Sequence, residues 1–296
     1  MKKQSNRFNR GFNMASNSVR CLVCIAFLSM LVTGCRQTDK NPSRSTEQSD
    51  TSNGVQAVTA ATAEAGKNGP SKILSKPEVP ILCYHHISPT EKGDYSVTPA
   101  TFAAQIKALS DSGYHSITPN QLYEYLVYNK ALPEKPVMIT FDDSRIEHAK
   151  IAAPLLEKYG FRGVFFIMTI TYGKKNYMTT DEIAGLAKAG HVVGLHTWDH
   201  TMVIRFKDST DWRKEIADPK QRLTSIIGQS VDYFAYPNGV YNHEAAKQLS
   251  KYFKLSFTLF SKRDTLLPLQ TVRRIIVPES SPQRLLSSMR KAFKLN

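Results

Sequence analysis

The sequence predicts an α/β fold: parallel strands covered by helices. Three observations carry this. Short apolar strand candidates alternate with amphipathic helical stretches from Val79 onward. Several strands, such as Val137 to Phe141 and Val164 to Met168, are apolar without polar alternation, as strands buried on both faces are. Polar residues then gather just past the strands. A (β/α) barrel and a doubly wound sheet both satisfy this pattern, and in both ligands meet the carboxyl ends of the strands.

The elements follow in order. Val79 to Tyr84 reads as a strand. Thr98 caps a helix with Pro99 in its first turn, Phe102, Ile106 and Leu109 on one face, and Gly113 past its end. Val137 to Phe141 is a strand, His148 to Tyr159 a helix stopped by Gly160, and Val164 to Met168 a strand. Thr179-Thr180-Asp181-Glu182 is a capping box for a helix reaching Gly190. His191 to Leu195 is a strand. Arg213 to Ile227 is helical, with Pro219 predicted to kink or split it. Val231 to Tyr236 is a strand, Asn242 caps a helix, and Leu255 to Leu259 and Val272 to Val277 are strands. Ser281-Pro282 opens a last helix to Phe293.

The chain has 296 residues, 41% hydrophobic and 22% charged, a globular composition. Its first segment differs. Lys2, Lys3, Arg7, Arg10 and Arg20 precede an apolar run, Cys21 to Val32, that ends Leu31-Val32-Thr33-Gly34-Cys35. The basic segment, short apolar core and small residues predict a secretory signal over residues 1–34. The run is short for a bilayer span. The Leu-x-x-Gly-Cys ending resembles the bacterial lipobox, which implies lipidation of Cys35 and anchoring at a membrane face. Loss of residues 1–34 would lower the formal charge of +14 by those five basic residues. For an exported basic protein, anionic lipid or an acidic envelope polymer is the expected partner, not nucleic acid. Only Cys83 then remains as a free thiol, a buried small hydrophobe. Residues 35–76, rich in small and polar types, are expected to be a flexible tether, leaving 77–296 as one domain.

Three strand ends carry chemistry. Val137–Phe141 runs into Asp142-Asp143. His191–Leu195 runs into His196-Thr197-Trp198-Asp199-His200. Val231–Tyr236 runs into Pro237-Asn238-Gly239. Adjacent carboxylates on extended chain point apart, so one can face a metal and the other a substrate. His196 and His200 share a face if their segment is a helical turn. Two imidazoles and a carboxylate make an open metal site, and a second carboxylate can take a proton from water there. The Asp pair alone reads equally as a turn or helix cap. The two motifs together, at strand ends of one domain, point to catalysis.

Thr140-Phe141-Asp142-Asp143 and His196-Thr197-Trp198-Asp199-His200 resemble the first two motifs of the polysaccharide deacetylases, carbohydrate esterase family 4 with its NodB homology domain. The resemblance spans roughly residues 77–280. It implies a distorted (β/α) barrel with one divalent metal, commonly zinc, although two His and a carboxylate also suit cobalt, nickel and iron. By motif position it implies Asp143, His196 and His200 as metal ligands and Asp142 as general base. Thr197 is implied to brace its loop, and the Asn238 backbone N–H to bind the oxyanion. Two departures stand out. The third motif, usually R-x-P-Y-[AG], reads Ala235-Tyr236-Pro237-Asn238-Gly239, without the Arg; Arg273 and Arg274 are the candidates to replace it. The usual L-x-H, source of the general acid, is missing near the C-terminus.

Pro80-Ile81-Leu82-Cys83-Tyr84-His85 resembles instead the start of one branch, the deacetylases of poly-β-1,6-N-acetylglucosamine, a biofilm exopolysaccharide. That branch implies His85 as the acid, with His86 the competing choice. Peptidoglycan or chitin oligomers are the alternative substrates. An inactive carbohydrate-binding or polymer-assembly protein is the alternative of another class. Trp198 and Tyr236 are expected to contact sugar. A lipid-anchored place in the bacterial envelope, on the outer membrane facing the periplasm or on the cell surface, is expected, with polysaccharide export machinery as a partner.

Overall fold

The computed structural model describes residues 66–295. The signal, Cys35 and most of the tether lie outside the described residues. The strands are β1 (Ile81–Tyr84), β2 (His86–Ile87), β3 (Ser96–Val97), β4 (His115–Ser116), β5 (Pro136–Phe141), β6 (Gly163–Ile167), β7 (Val192–Leu195), β8 (Tyr233–Ala235), β9 (Leu255–Thr258), β10 (Val272–Arg273) and β11 (Ile275–Ile276). The main sheet runs β10-β9-β8-β7-β6-β5-β1-β11, and β4 pairs with β5 outside that path. Every named pairing is parallel. β10 and β11 are one stretch of chain interrupted at Arg274. It pairs with β9 through Val272 and Arg273, then with β1 through Ile275 and Ile276. One segment therefore joins both edges and closes a distorted barrel.

Both faces of the strands are apolar, which is why the sequence lacks alternation. Ile81, Met138, Val164, Phe166, Tyr233, Ala235, Leu255 and Phe257 form one cluster with Ile117, Leu122 and Leu126. Leu82, Tyr84, Ile139, Phe141, Phe165, Ile167, Phe234 and Tyr236 form another with helical residues such as Phe102, Leu156, Ile183 and Leu223. Residues two apart fall in the same cluster, so the first is the barrel interior and the second lies under the helices. Cys83, Thr140 and Asp142 continue the inward positions toward the carboxyl end, so the interior turns polar where the loops begin.

The helix ends obey their caps. Thr98, Thr179, Asn242 and Ser281 each accept a backbone N–H at a helix start, and Thr179 with Glu182 makes the full capping box. A helix not expected from apolar spacing, Pro119–Tyr128, has its own box from Thr118 and Gln121 and supplies Leu122 and Leu126 to the interior. The helical stretch is split just before Pro219, as expected. A π-turn, Arg213–Ala217, comes first, and Asp218–Ile227 takes the proline into its first turn. The same device precedes Pro154: a π-turn at His148–Ala152, then Ala153–Lys158. Extra residues in the turn shift the register so that the proline's missing N–H costs no hydrogen bond. Within the segment expected as tether, Pro70–Leu74 is a short helix and Ile73 is buried in the interior cluster, so packing begins before residue 77. Among the described residues, no helix is long and apolar enough to cross a membrane.

Gly194 on β7 has no room for a side chain. A Cβ there would lie 2.6 Å from the Phe166 ring and 2.9 Å from the Tyr233 carbonyl oxygen. Gly194→Ala should lower unfolding stability by roughly 1–3 kcal/mol through overpacking, read as a lower urea midpoint at unchanged slope.

Candidate metal centre

Three loops at the carboxyl ends of β5, β7 and β8 build the site, with a fourth contribution from the closing strand. Asp142 is buried, and Arg274 grips it with both guanidinium arms: Nη1 to Oδ1 at 2.7 Å and Nη2 to Oδ2 at 2.7 Å. Nη1 also donates to Thr140 Oγ1 at 3.1 Å, and Thr140 donates to the Leu82 carbonyl at 2.8 Å. The guanidinium lies over the Phe166 ring, 5.3 Å from its centroid. Burial would raise the Asp142 pKa, but Arg274, His196 and His85 together outweigh it and hold the carboxyl well below the usual range. Of the two candidate arginines, Arg274 is the one that reaches Asp142. Arg273 points elsewhere and pairs with Glu78 at 2.6 Å.

Asp143 does not continue the strand. Its φ of 74° is left-handed, and Ser144 follows at 57°. This turn, not extended alternation, separates the two carboxylates. Ser144 is buried and accepts the Met168 N–H at 2.7 Å, which fastens the turn to the end of β6. Asp143 Oδ1 then stands 3.5 Å from His196 Nε2 and 3.5 Å from His200 Nε2. The His196–His200 segment is a turn, not helical, with Thr197 and His200 left-handed at φ 62° and 72°. Thr197 Oγ1 accepts the His200 N–H at 3.0 Å, bracing the turn as expected. His196 Nδ1 donates to the Ala235 carbonyl at 2.8 Å, leaving Nε2 with its lone pair toward Asp143.

These residues fit a divalent cation. Asp143 Oδ1 is buried and has no hydrogen-bond partner among the described residues. It, His196 and His200 present one ligand atom each within 4.8 Å of one another. Bonds of about 2.0–2.1 Å in a tetrahedral site put ligand atoms about 3.4 Å apart, close to the two observed spacings. Burial would raise Asp143, yet nearby His196 draws it down to about 2, so it stays ionised. Burial and His196 together lower His200 toward the neutral form a metal needs. Burial would lower His196, but Asp142 and Asp143 raise it.

His85 and His86 separate cleanly. His85 Nε2 lies 4.0 Å from Asp142 Oδ2 and its ring meets Tyr95 edge-on at 5.0 Å. His86 Nδ1 faces Glu91 at 2.6 Å. Two further residues lie near His85 without any motif of their own in the sequence. His148 is buried and donates Nε2–H to the His85 carbonyl; burial holds its pKa down to about 4, so it is neutral. Cys83 is fully buried as expected, but it also lies 3.5 Å from Asp142 Oδ2.

The expected sugar contacts fare unevenly. Tyr236 is fully buried and its hydroxyl donates to the Gln270 carbonyl at 2.9 Å, so it is a core residue that sugar does not reach. Trp198 lines a cleft with Thr210, Lys214 and Arg222, while Asp143 and His200 line another with Arg145 and Tyr177. Lys214 covers one Trp198 face at 4.3 Å. Asn238 is exposed and left-handed at φ 57°, its loop reaching the mouth beside the Ala235 that fixes His196.

The family model for polysaccharide deacetylases matches residues 129–253. YxkH of Bacillus subtilis, which carries a polysaccharide deacetylase name, is 32% identical over 174 residues, covering 59% of this chain and 61% of YxkH. The poly-β-1,6-N-acetyl-D-glucosamine N-deacetylase of Staphylococcus aureus is 28% identical over 198 residues, 62% of this chain and 67% of that protein. The structure of the Streptococcus pyogenes deacetylase PplD in complex with acetate superposes with a TM-score of 0.66 at 27% identity, over 72% of this chain and 99% of that one.

If Asp143 is a ligand and Asp142 is not, their amides should behave differently. Asp143→Asn should weaken binding of Zn²⁺ or Co²⁺ at least tenfold by isothermal titration. Asp142→Asn should leave it within about threefold, since Asp142 is held by Arg274.

Proposed function

We propose that this chain removes N-acetyl groups from an N-acetylglucosamine-containing polysaccharide, a reading supported by the match of residues 129–253 to the polysaccharide deacetylase family model. We assign poly-β-1,6-N-acetylglucosamine as the polymer. The observation that carries the reaction is the division of the Asp pair: Asp142 is locked by Arg274, and Asp143 is turned toward two imidazoles. The polymer assignment is supported by the Pro80 to His85 stretch and by the named activity of the Staphylococcus aureus relative.

A bound divalent cation, with zinc the expected metal, would supply a Lewis acid for the amide carbonyl and acidify water beside it. Asp143, His196 and His200 would hold it. Asp142 accepts the proton of the attacking water. The Arg274 clamp makes it a weaker base but keeps it ionised and holds its carboxylate in one orientation. We assign the Asn238 N–H as donor to the oxygen that becomes negative as the carbonyl turns tetrahedral. His85, 4.0 Å from Asp142 Oδ2, gives a proton to the departing amine. His148 holds the His85 backbone in place for that transfer.

The location follows from the N-terminal segment. We propose that Cys35 is lipidated and holds the domain at the cell envelope, in reach of exported polymer and its export machinery. Full-length protein should then incorporate labelled fatty acid, and Cys35→Ser should abolish the label.

The decisive test is acetate release from β-1,6-linked N-acetylglucosamine oligomers by residues 66–296, with added Zn²⁺ or chelator. Release should need metal and fall by about 10²–10⁴-fold in kcat for Asp142→Asn. His85→Ala should lower kcat far more than His86→Ala. Release from β-1,4-linked oligomers alone would replace the polymer assigned here, and release from neither would overturn the enzymatic reading.

A further inference from the structure

The barrel mouth carries aromatic surface that the reaction does not use. Phe260 is 42% exposed and stands two residues past β9. Its backbone is pinned to the Asn238 loop: Thr258 Oγ1 accepts the Phe260 N–H at 3.1 Å and donates to the Gly239 carbonyl at 2.6 Å. The two stretches are pressed together so closely that a Cβ on Gly239 would lie 2.3 Å from Leu259 Cβ. The Tyr241 ring meets Phe260 at 5.2 Å and the buried Tyr236 at 5.6 Å. Three rings thus step outward from core to solvent. Nearby, His243 and Asp264 pair at 2.9 Å, and Asp264 also accepts the N–H groups of Leu266 and Leu267 at 2.8 Å. The loop after Phe260 is therefore tied back to the start of the helix His243–Leu249.

This arrangement is preorganised. The strand order puts the platform on β8 and β9, next along the barrel from the β7 loop that bears His196 and His200. A rigid aromatic face offers a pyranose ring a large apolar contact at small entropic cost, and neighbouring polar side chains suit its hydroxyls. A single exposed Phe is ordinary on a protein surface. An exposed Phe braced by a second ring, and bonded through Thr258 to the loop of the proposed oxyanion donor, is a surface held at a set place beside the reacting centre.

We propose that Tyr241 and Phe260 form a carbohydrate-stacking subsite for a sugar unit flanking the one that is deacetylated, so that longer oligomers bind better than short ones. This rests on the deacetylase reading above. The subsite adds binding to polymer and leaves the reacting groups untouched.

The test compares Phe260→Ala, Tyr241→Ala and the conservative Phe260→Tyr on two classes of substrate. One is a series of short and long β-1,6-linked N-acetylglucosamine oligomers; the other is a small chromogenic acetyl ester that needs no subsite. The alanine variants should raise KM for long oligomers about tenfold, with kcat and ester hydrolysis unchanged. Phe260→Tyr should restore the wild-type KM. An equal loss on ester and polymer, or a KM that ignores these substitutions at every chain length, overturns the subsite. Binding of the same oligomers, and of chitin oligomers, to Asp142→Asn with and without Phe260→Ala is measured by calorimetry. Affinity that is the same with and without Phe260 also overturns the subsite. The binding arm is independent of turnover, so a wild-type protein that releases no acetate defeats the deacetylase reading while calorimetry still decides the subsite.

Discussion

The site depends on the ion pair between Arg274 and Asp142. Its two ends sit on different parts of the barrel: Asp142 just past β5, Arg274 at the point where the closing strand changes partner from β9 to β1. Both groups are buried, and neither charge would be tolerated there alone. The bidentate geometry and the third bond to Thr140 engage both terminal nitrogens of the guanidinium where the interior changes from apolar to polar. Barrel closure and orientation of the proposed base are therefore the same contact. A chain that failed to bring its closing strand home would leave a carboxylate stranded in the interior.

That contact also explains how adjacent, identical residues take different roles. Asp142 spends both oxygens on Arg274. Asp143, swung out by its left-handed backbone, has Oδ1 free toward His196 and His200. Local sequence supplies two carboxylates; a residue 132 positions away decides which of them remains available to a cation.

Legibility in the sequence follows the same line. The parallel fold, most strands and four helix caps were readable because caps and apolar runs are local signals. So were Asp142, Asp143, His196 and His200, which lie within two short motifs. Arg274 was narrowed only to a choice with Arg273, because inward and outward positions alternate along a strand and a partner change at that very residue hides the phase. His148 read as a helix start; its bond to the His85 carbonyl crosses 63 positions and rests on a π-turn that no spacing rule announces. Tyr236 departs from its expected sugar contact for the opposite reason. It sits beside a motif, but its strand phase turns it under the helices, where its ring is buried and its hydroxyl spent. The helix Pro119–Tyr128 carries its signal in the capping box of Thr118 and Gln121, not in a clear apolar spacing.

The backbone gives a further argument that these loops are built for a task. Among the described residues, nine other than glycine have positive φ, and five of them are Asp143, Ser144, Thr197, His200 and Asn238. Each left-handed residue with a side chain costs on the order of 1 kcal/mol. Packing alone gives no reason to gather that cost at one end of the barrel, since ordinary turns would place Gly or Asn there. The cost becomes intelligible once the side chains are considered. A left-handed residue reverses the direction of the chain within one step, and here the reversals set Asp143, His196 and His200 around a common point while Asn238 faces the same mouth. Ser144, Thr197 and Ala235 then hold the strained loops in place by the bonds they make. Substituting glycine at these positions would relieve the backbone and remove the groups the strain exists to aim.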